Sequence, residues 1–117
     1  PDAIHNYAVV LIFAGRSQEA ESLLKKHFGS EVLGDTRYIN AYAAISDFVK
    51  LSLVWEKLVA GEPNNIQYRV SLASAYIKIF EDQKAIKELE KTIELAPTFK
   101  TQGETFIKQI REGRIQR

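Results

Sequence analysis

Apolar residues recur along this chain at three- and four-residue intervals almost without a break, and strict two-residue alternation never develops. The pattern predicts helices throughout and no strand. Ile4, Tyr7, Ala8, Leu11 and Ile12 form a first stripe, begun by Asp2 as N-cap and ended by Gly15. Ser17 opens a second helix with Ala20, Leu23, Leu24, His27 and Phe28 on its packing side, stopped by Gly29. After an irregular connection, Asp35 caps a third helix bearing Tyr38, Ala41, Tyr42 and Ile45. Ser46-Asp47 starts a fourth with Phe48, Leu51, Trp55, Leu58 and Val59, closed by Gly61 and Pro63. The turn Pro63-Asn64-Asn65 leads into a fifth (Leu72, Ala73, Tyr76, Ile77, Phe80). Asp82 caps a sixth (Ala85, Ile86, Leu89, Ile93), and Thr98 a seventh (Phe99, Phe106, Ile107, Ile110). Seven helices are expected.

A longer period is laid over the helical one. Tyr42, Trp55, Glu56-Lys57 and Pro63 are answered 34 residues later by Tyr76, Leu89, Glu90-Lys91 and Pro97. A unit of about that length, made of two amphipathic helices and closed by proline, cannot bury its stripe alone and is expected to stack on its neighbours. Alanine at Ala8, Ala20, Ala73 and Ala85 lets paired helices approach closely, while Tyr42, Trp55, Tyr76 and Leu89 supply bulk between successive pairs.

These residues resemble the tetratricopeptide repeat (TPR) family. In residues 66–97 the resemblance is carried by Leu72-Ala73, Tyr76, Ala85, Leu89 and Pro97. Residues 32–65 resemble a second repeat through Tyr38, Tyr42, Asp47, Trp55 and Pro63, and residues 1–31 a first through Tyr7-Ala8, Leu11, Gly15, Ala20 and Leu24. The resemblance implies an all-α fold in which antiparallel helix pairs stack as a short right-handed TPR-like solenoid. It implies one domain over residues 1–117, with about three repeats and a C-terminal capping helix at 98–113. Three features depart from the family pattern: Phe80 stands where glycine is preferred, Leu51 replaces the small residue of the second repeat, and the first-to-second spacing is about three residues short of 34. The overall texture also resembles, more faintly, the repeat tails of bacterial membrane-embedded O-antigen ligase-like proteins.

Composition narrows the function. With 117 residues and 45% hydrophobic content the chain can build one modest core. A net charge of +1 provides no whole-molecule attraction to nucleic acid or anionic membrane. Residues 100–117 carry five basic side chains against two acidic ones, which suits a solvated last helix. No cysteine is present, so disulfides, thiol nucleophiles and thiolate metal sites are excluded. The longest apolar run, residues 8–14, is too short to span a bilayer. The lack of methionine, even at position 1, fits an excised or processed segment of a larger protein.

Catalytic and cofactor motifs are missing. Residues 29–36 have the glycine spacing of a phosphate loop, but Asp35 takes the place of the lysine and would repel phosphates. His5 and His27 lie far apart without partners at metal-ligand spacing, and His27 is expected to be partly buried. Carboxylates alternate with lysines at helical offsets, as on a solvated face. Most aromatic residues sit on packing stripes, and the first helices of the pairs offer too few cations for an RNA groove. The expectation is a protein without enzymatic activity, cofactor, metal or nucleic-acid ligand.

Within the TPR resemblance, the first helix of each pair lines a concave groove. That assigns His5, Asn6 and Val9 from the first repeat, Arg37, Asn40 and Ala44 from the second, and Ser71, Ser74 and Lys78 from the third, with Thr105 and Lys108 from the last helix. One subgroup of the family clamps a peptide carboxylate with lysines, arginine and asparagines. His5, Val9, Arg37, Gln67 and Ser71 stand there instead, so that clamp is largely missing. The leading expectation is a scaffold that binds a protein or peptide in the groove. The alternative is a structural or self-associating repeat element of a larger protein, joined through exposed Val9, Phe13, Val54 or Phe80.

Overall fold

The computed structural model describes residues 1–117 and contains only helices and connections. They are α1 (Asp2–Phe13), α2 (Ser17–Phe28), α3 (Arg37–Ala44), α4 (Phe48–Gly61), α5 (Ile66–Lys78), α6 (Asp82–Leu95) and α7 (Lys100–Arg111), with a 3₁₀ turn at Pro97–Phe99. The chain forms two compact units, Pro1–Leu58 and Val59–Arg117, divided inside α4.

In the first unit α1 packs on α2 and on α3. Ala8 and Ala20 are fully buried, as close helix approach requires, and Leu11, Ile12, Leu24, Tyr38 and Tyr42 are buried with them. The connection after α2 begins at Gly29, whose left-handed backbone (φ 80°) lets its N–H reach the Lys25 carbonyl. Further on, Gly34 passes so close to α4 that a Cβ there would stand 2.9 Å from Lys57 Cβ and 3.1 Å from its carbonyl carbon. Asp35 then holds the start of α3 by accepting from the Arg37 N–H at 2.9 Å. The would-be phosphate loop is thus a packed linker.

In the second unit α6 lies between α5 and α7 in the packing order, contacting both. Ala73, Ala85, Ile86 and Leu89 are buried, and Gly103 of α7 rests on Ile93 and Phe99. Asn65 caps α5, its side chain accepting from the Tyr68 N–H at 3.0 Å.

One helix closure recurs along the backbone. Gly15, Ser46 and Phe80 all have positive φ (78°, 57° and 62°). At each, the N–H of that residue bonds the carbonyl three back, and the next N–H bonds the carbonyl five before it: Arg16 to Leu11 (2.8 Å), Asp47 to Tyr42 (3.0 Å) and Glu81 to Tyr76 (2.9 Å). This is the Schellman closure, made three times. Gly113 (φ 69°) makes it a fourth time after α7, with Arg114 bonded to Gln109 at 2.8 Å. Phe80 pays the steric penalty that glycine avoids, roughly 1–2 kcal/mol.

Several sequence expectations require correction. Asp2, Asp82 and Thr98 do not cap helices: the two aspartates are already the first residues of α1 and α6, and Thr98 lies inside the 3₁₀ turn that Pro97 starts. Their short side chains can reach back to N–H groups only from the position before the helix. Val54, expected outside, is fully buried, because the inward face of α4 is centred on Leu51, Val54 and Leu58. Tyr7 and His27, expected on packing stripes, are exposed, since the buried positions of their helices are Ala8, Leu11 and Ile12 and Ala20, Glu21 and Leu24.

Candidate functional site

In the first unit the residues assigned to a groove fall into two groups. Asn6, Asn40 and Ala44 are exposed and Val9 is half-buried. His5 and Arg37 are occupied by the protein itself. The His5 ring stacks on Phe28 with centroids 4.6 Å apart, and its Nδ1 shares a 2.7 Å hydrogen bond with the Tyr38 hydroxyl. Burial, and then the charge of Asp35, pushes the Tyr38 phenol up to about 12. Arg37 donates from Nε and Nη2 to Asp35 (3.0 and 2.7 Å) and from Nη1 to Asp2 (3.3 Å), tying α3 to α1. The hydrogen bonds from Arg37 hold the Asp35 carboxyl below the usual carboxylate range. An acidic ligand at Arg37 would have to displace two carboxylates already in place.

Beneath this surface is a polar contact that periodicity did not reveal. Glu21 of α2 is only 8% exposed. Its carboxylate accepts from the Tyr42 hydroxyl of α3 at 3.0 Å and from Lys50 Nζ of α4 at 3.3 Å. The charge is therefore paired and hydrogen-bonded where it is buried, which is the condition for tolerating it.

In the second unit Ser71, Ser74 and Lys78 share one face of α5 at i, i+3 and i+7, with Ser74 and Lys78 exposed. Ser74 and Lys78 line a cavity of about 230 Å³ with Val70, Ala73 and Ile77 of the same helix, Leu89 of α6 and Phe106 of α7. Its remaining wall is the chain itself: Ile115, Gln116 and Arg117 leave the Gly113 turn and line the cavity without helical structure. Lys78 Nζ donates to the main-chain oxygen of Arg117 at 2.7 Å.

The Arg117 side chain is held by the α5–α6 turn. Its guanidinium donates to the Ile77 carbonyl at 2.8 Å and to both Asp82 carboxylate oxygens, at 2.8 and 3.0 Å. It also lies over the Phe80 ring, 4.2 Å from the centroid. Hydrogen bonding by Arg117 holds the Asp82 carboxyl below its usual value. Of the two last-helix residues assigned to the groove, Thr105 is exposed and donates to the Thr101 carbonyl at 2.9 Å. Lys108 lines a different hollow, with Glu90, Ile93, Glu104, Ile107, Arg111 and Glu112. Phe106 is the α7 residue that reaches the Ser74 side.

No three His, Cys, Asp or Glu side chains converge as a metal site would need. No helix is long and apolar enough to cross a membrane. The chain matches no protein-family model and no curated protein.

Proposed function

We propose that this chain is a non-enzymatic binding module of the TPR type, in which three helix pairs stack as a short right-handed array and the first helices of the pairs receive an extended segment of a protein partner. The period of the sequence and the turn closed alike at Gly15, Ser46 and Phe80 support the array. One observation carries the binding reading: a non-helical segment of the chain lies against the α5 face at Ser74 and Lys78 and walls the cavity there, with Lys78 on its main-chain oxygen. Contacts of that kind recognise peptide backbone irrespective of its side chains.

The test uses exposed positions that the fold does not need. Asn40→Arg combined with Ser74→Arg fills the ligand face with bulk and charge while leaving the melting temperature within about 2 °C, because neither residue is buried. Partners found by peptide array or pull-down with the wild type should lose at least tenfold in affinity. Equal binding by both proteins would remove this face as the site.

A second reading, self-association or docking within a larger protein, is favoured by α1. Tyr7, Val10 and Phe13 on that helix are 55%, 61% and 51% exposed. Light scattering on the wild type and on Val10→Lys separates the readings, since a dimer lost in the variant would make this face an interface.

A further inference from the structure

The α5–α6 turn holds more recognition chemistry than a helix connection requires. Phe80 is bulky, has φ 62° and is 71% exposed, so neither backbone ease nor burial accounts for it. The corresponding turns use Gly15 and Ser46. A strained, exposed aromatic residue points to a use outside folding. Around it stand the three elements that a guanidinium selects: a carboxylate presenting both oxygens (Asp82), a carbonyl at a helix C-terminal end (Ile77), and an aromatic face (Phe80). Lysine would lose the paired geometry, and an acidic residue would be repelled by Asp82.

Resting on the groove reading above, we propose that this turn is an arginine-selective subsite for an extended peptide bearing an aliphatic residue two positions before the arginine, and that Ile115-Gln116-Arg117 occupies it in cis as a competitor. The i and i+2 residues of an extended segment fall on the same side. Ile115 and Arg117 are accordingly half-buried, the first on the apolar cavity and the second at the turn, while Gln116 between them sits at the cavity's rim and is exposed. Lys78 fixes the backbone direction through the Arg117 main-chain oxygen. A tethered segment this near its site has an effective concentration on the order of millimolar, so only a partner of the same chemistry and better affinity displaces it.

The experiment titrates a labelled peptide with the sequence of residues 112–117 into the full chain and follows fluorescence anisotropy. Arg117→Ala empties the subsite, and the peptide should bind this variant at least tenfold more tightly than wild type. Adding Asp82→Asn should weaken binding to the emptied protein at least tenfold, and a peptide with alanine in place of its last arginine should not bind. Arg117→Gln serves the same titration if thermal melting shows the alanine variant unfolded. Equal binding to wild type and variant, or none to either, overturns the proposal. So does a wild-type dimer that Arg117→Ala converts to monomer, because the segment would then act between copies. Failure here with Asn40→Arg/Ser74→Arg still abolishing partner binding leaves the groove reading intact, whereas arginine-peptide binding with partners indifferent to those substitutions does the reverse.

Discussion

Tyr42→Phe isolates one oxygen atom in the first unit. The Tyr42 hydroxyl donates to Glu21 Oε2 at 3.0 Å, and Lys50 Nζ reaches the other oxygen at 3.3 Å. Removing the hydroxyl leaves ring packing unchanged but strips a buried carboxylate of its shorter contact. A hydrogen bond to a charged group is worth about 1.5–3 kcal/mol. The lysine is partly solvated, so its ion pair is closer to the surface class of about 1 kcal/mol and cannot make up the loss. The expected cost of Tyr42→Phe is therefore about 2 kcal/mol, read as a lower urea midpoint at constant slope. In the Glu21→Leu background no carboxylate remains, and the same substitution should cost under about 0.5 kcal/mol. A cost that is the same in both backgrounds, or a single-mutant loss below about 0.5 kcal/mol, would refute the claim that this contact supports the fold.

Other substitutions rank by what they meet. Gly34→Ala drives a Cβ into the Lys57 backbone, which cannot give way, and should cost about 3 kcal/mol by thermal melting. Gly103→Ala meets the Ile93 and Phe99 side chains and gains helix propensity of about 1 kcal/mol, for a net loss of about 1 kcal/mol. Deleting residues 98–117 uncovers Ile86, Leu89 and Ile93 of α6, so the shortened chain should associate or aggregate by light scattering where the intact one does not. At high pH the unfolded Tyr38 phenol ionises near its ordinary 10.0, while burial holds the folded one at about 12. The folded state binds the extra proton between those values, so stability falls from pH 10 upward by about 2 kcal/mol at pH 12. Burial raises the Tyr42 phenol too, so Tyr38→Phe should remove only the Tyr38 share of the fall in a pH series of melting temperatures.

Helix number, helix order and the small-residue contacts were legible because each rests on local spacing. Ala8, Ala20, Ala73 and Ala85 are all buried, and Gly29, Asp47 and Asn65 act at the helix ends where the sequence put them. Rotation about a helix axis was harder to read. One step along the chain turns the face by about 100°, so on α4 the expected Leu51, Leu58 and Val59 are buried while Val54, one position before Trp55, completes the inward face. Caps failed for a similar reason, since Asp2 and Asp82 lie one residue too late to reach the N–H groups they were given.

The candidate site was legible only as an anomaly. Phe80 in a glycine position marked the α5–α6 turn as unusual, but nothing local says that Arg117 will fill it, because Asp82 and Arg117 are 35 residues apart and meet only through folding. Arg37 fails in the opposite direction. Its place on the first helix of a pair assigned it to a ligand groove, whereas Asp2 and Asp35 pair with it within the unit. The arginine whose planar fork meets a carboxylate, a helix-end carbonyl and an aromatic face together is the one that sequence position alone assigned to a solvated end. On the proposed array reading, positions that keep the sequence period report on helix packing. Those that break it at a steric cost, as Phe80 does, are where a ligand's share of the energy has to be sought.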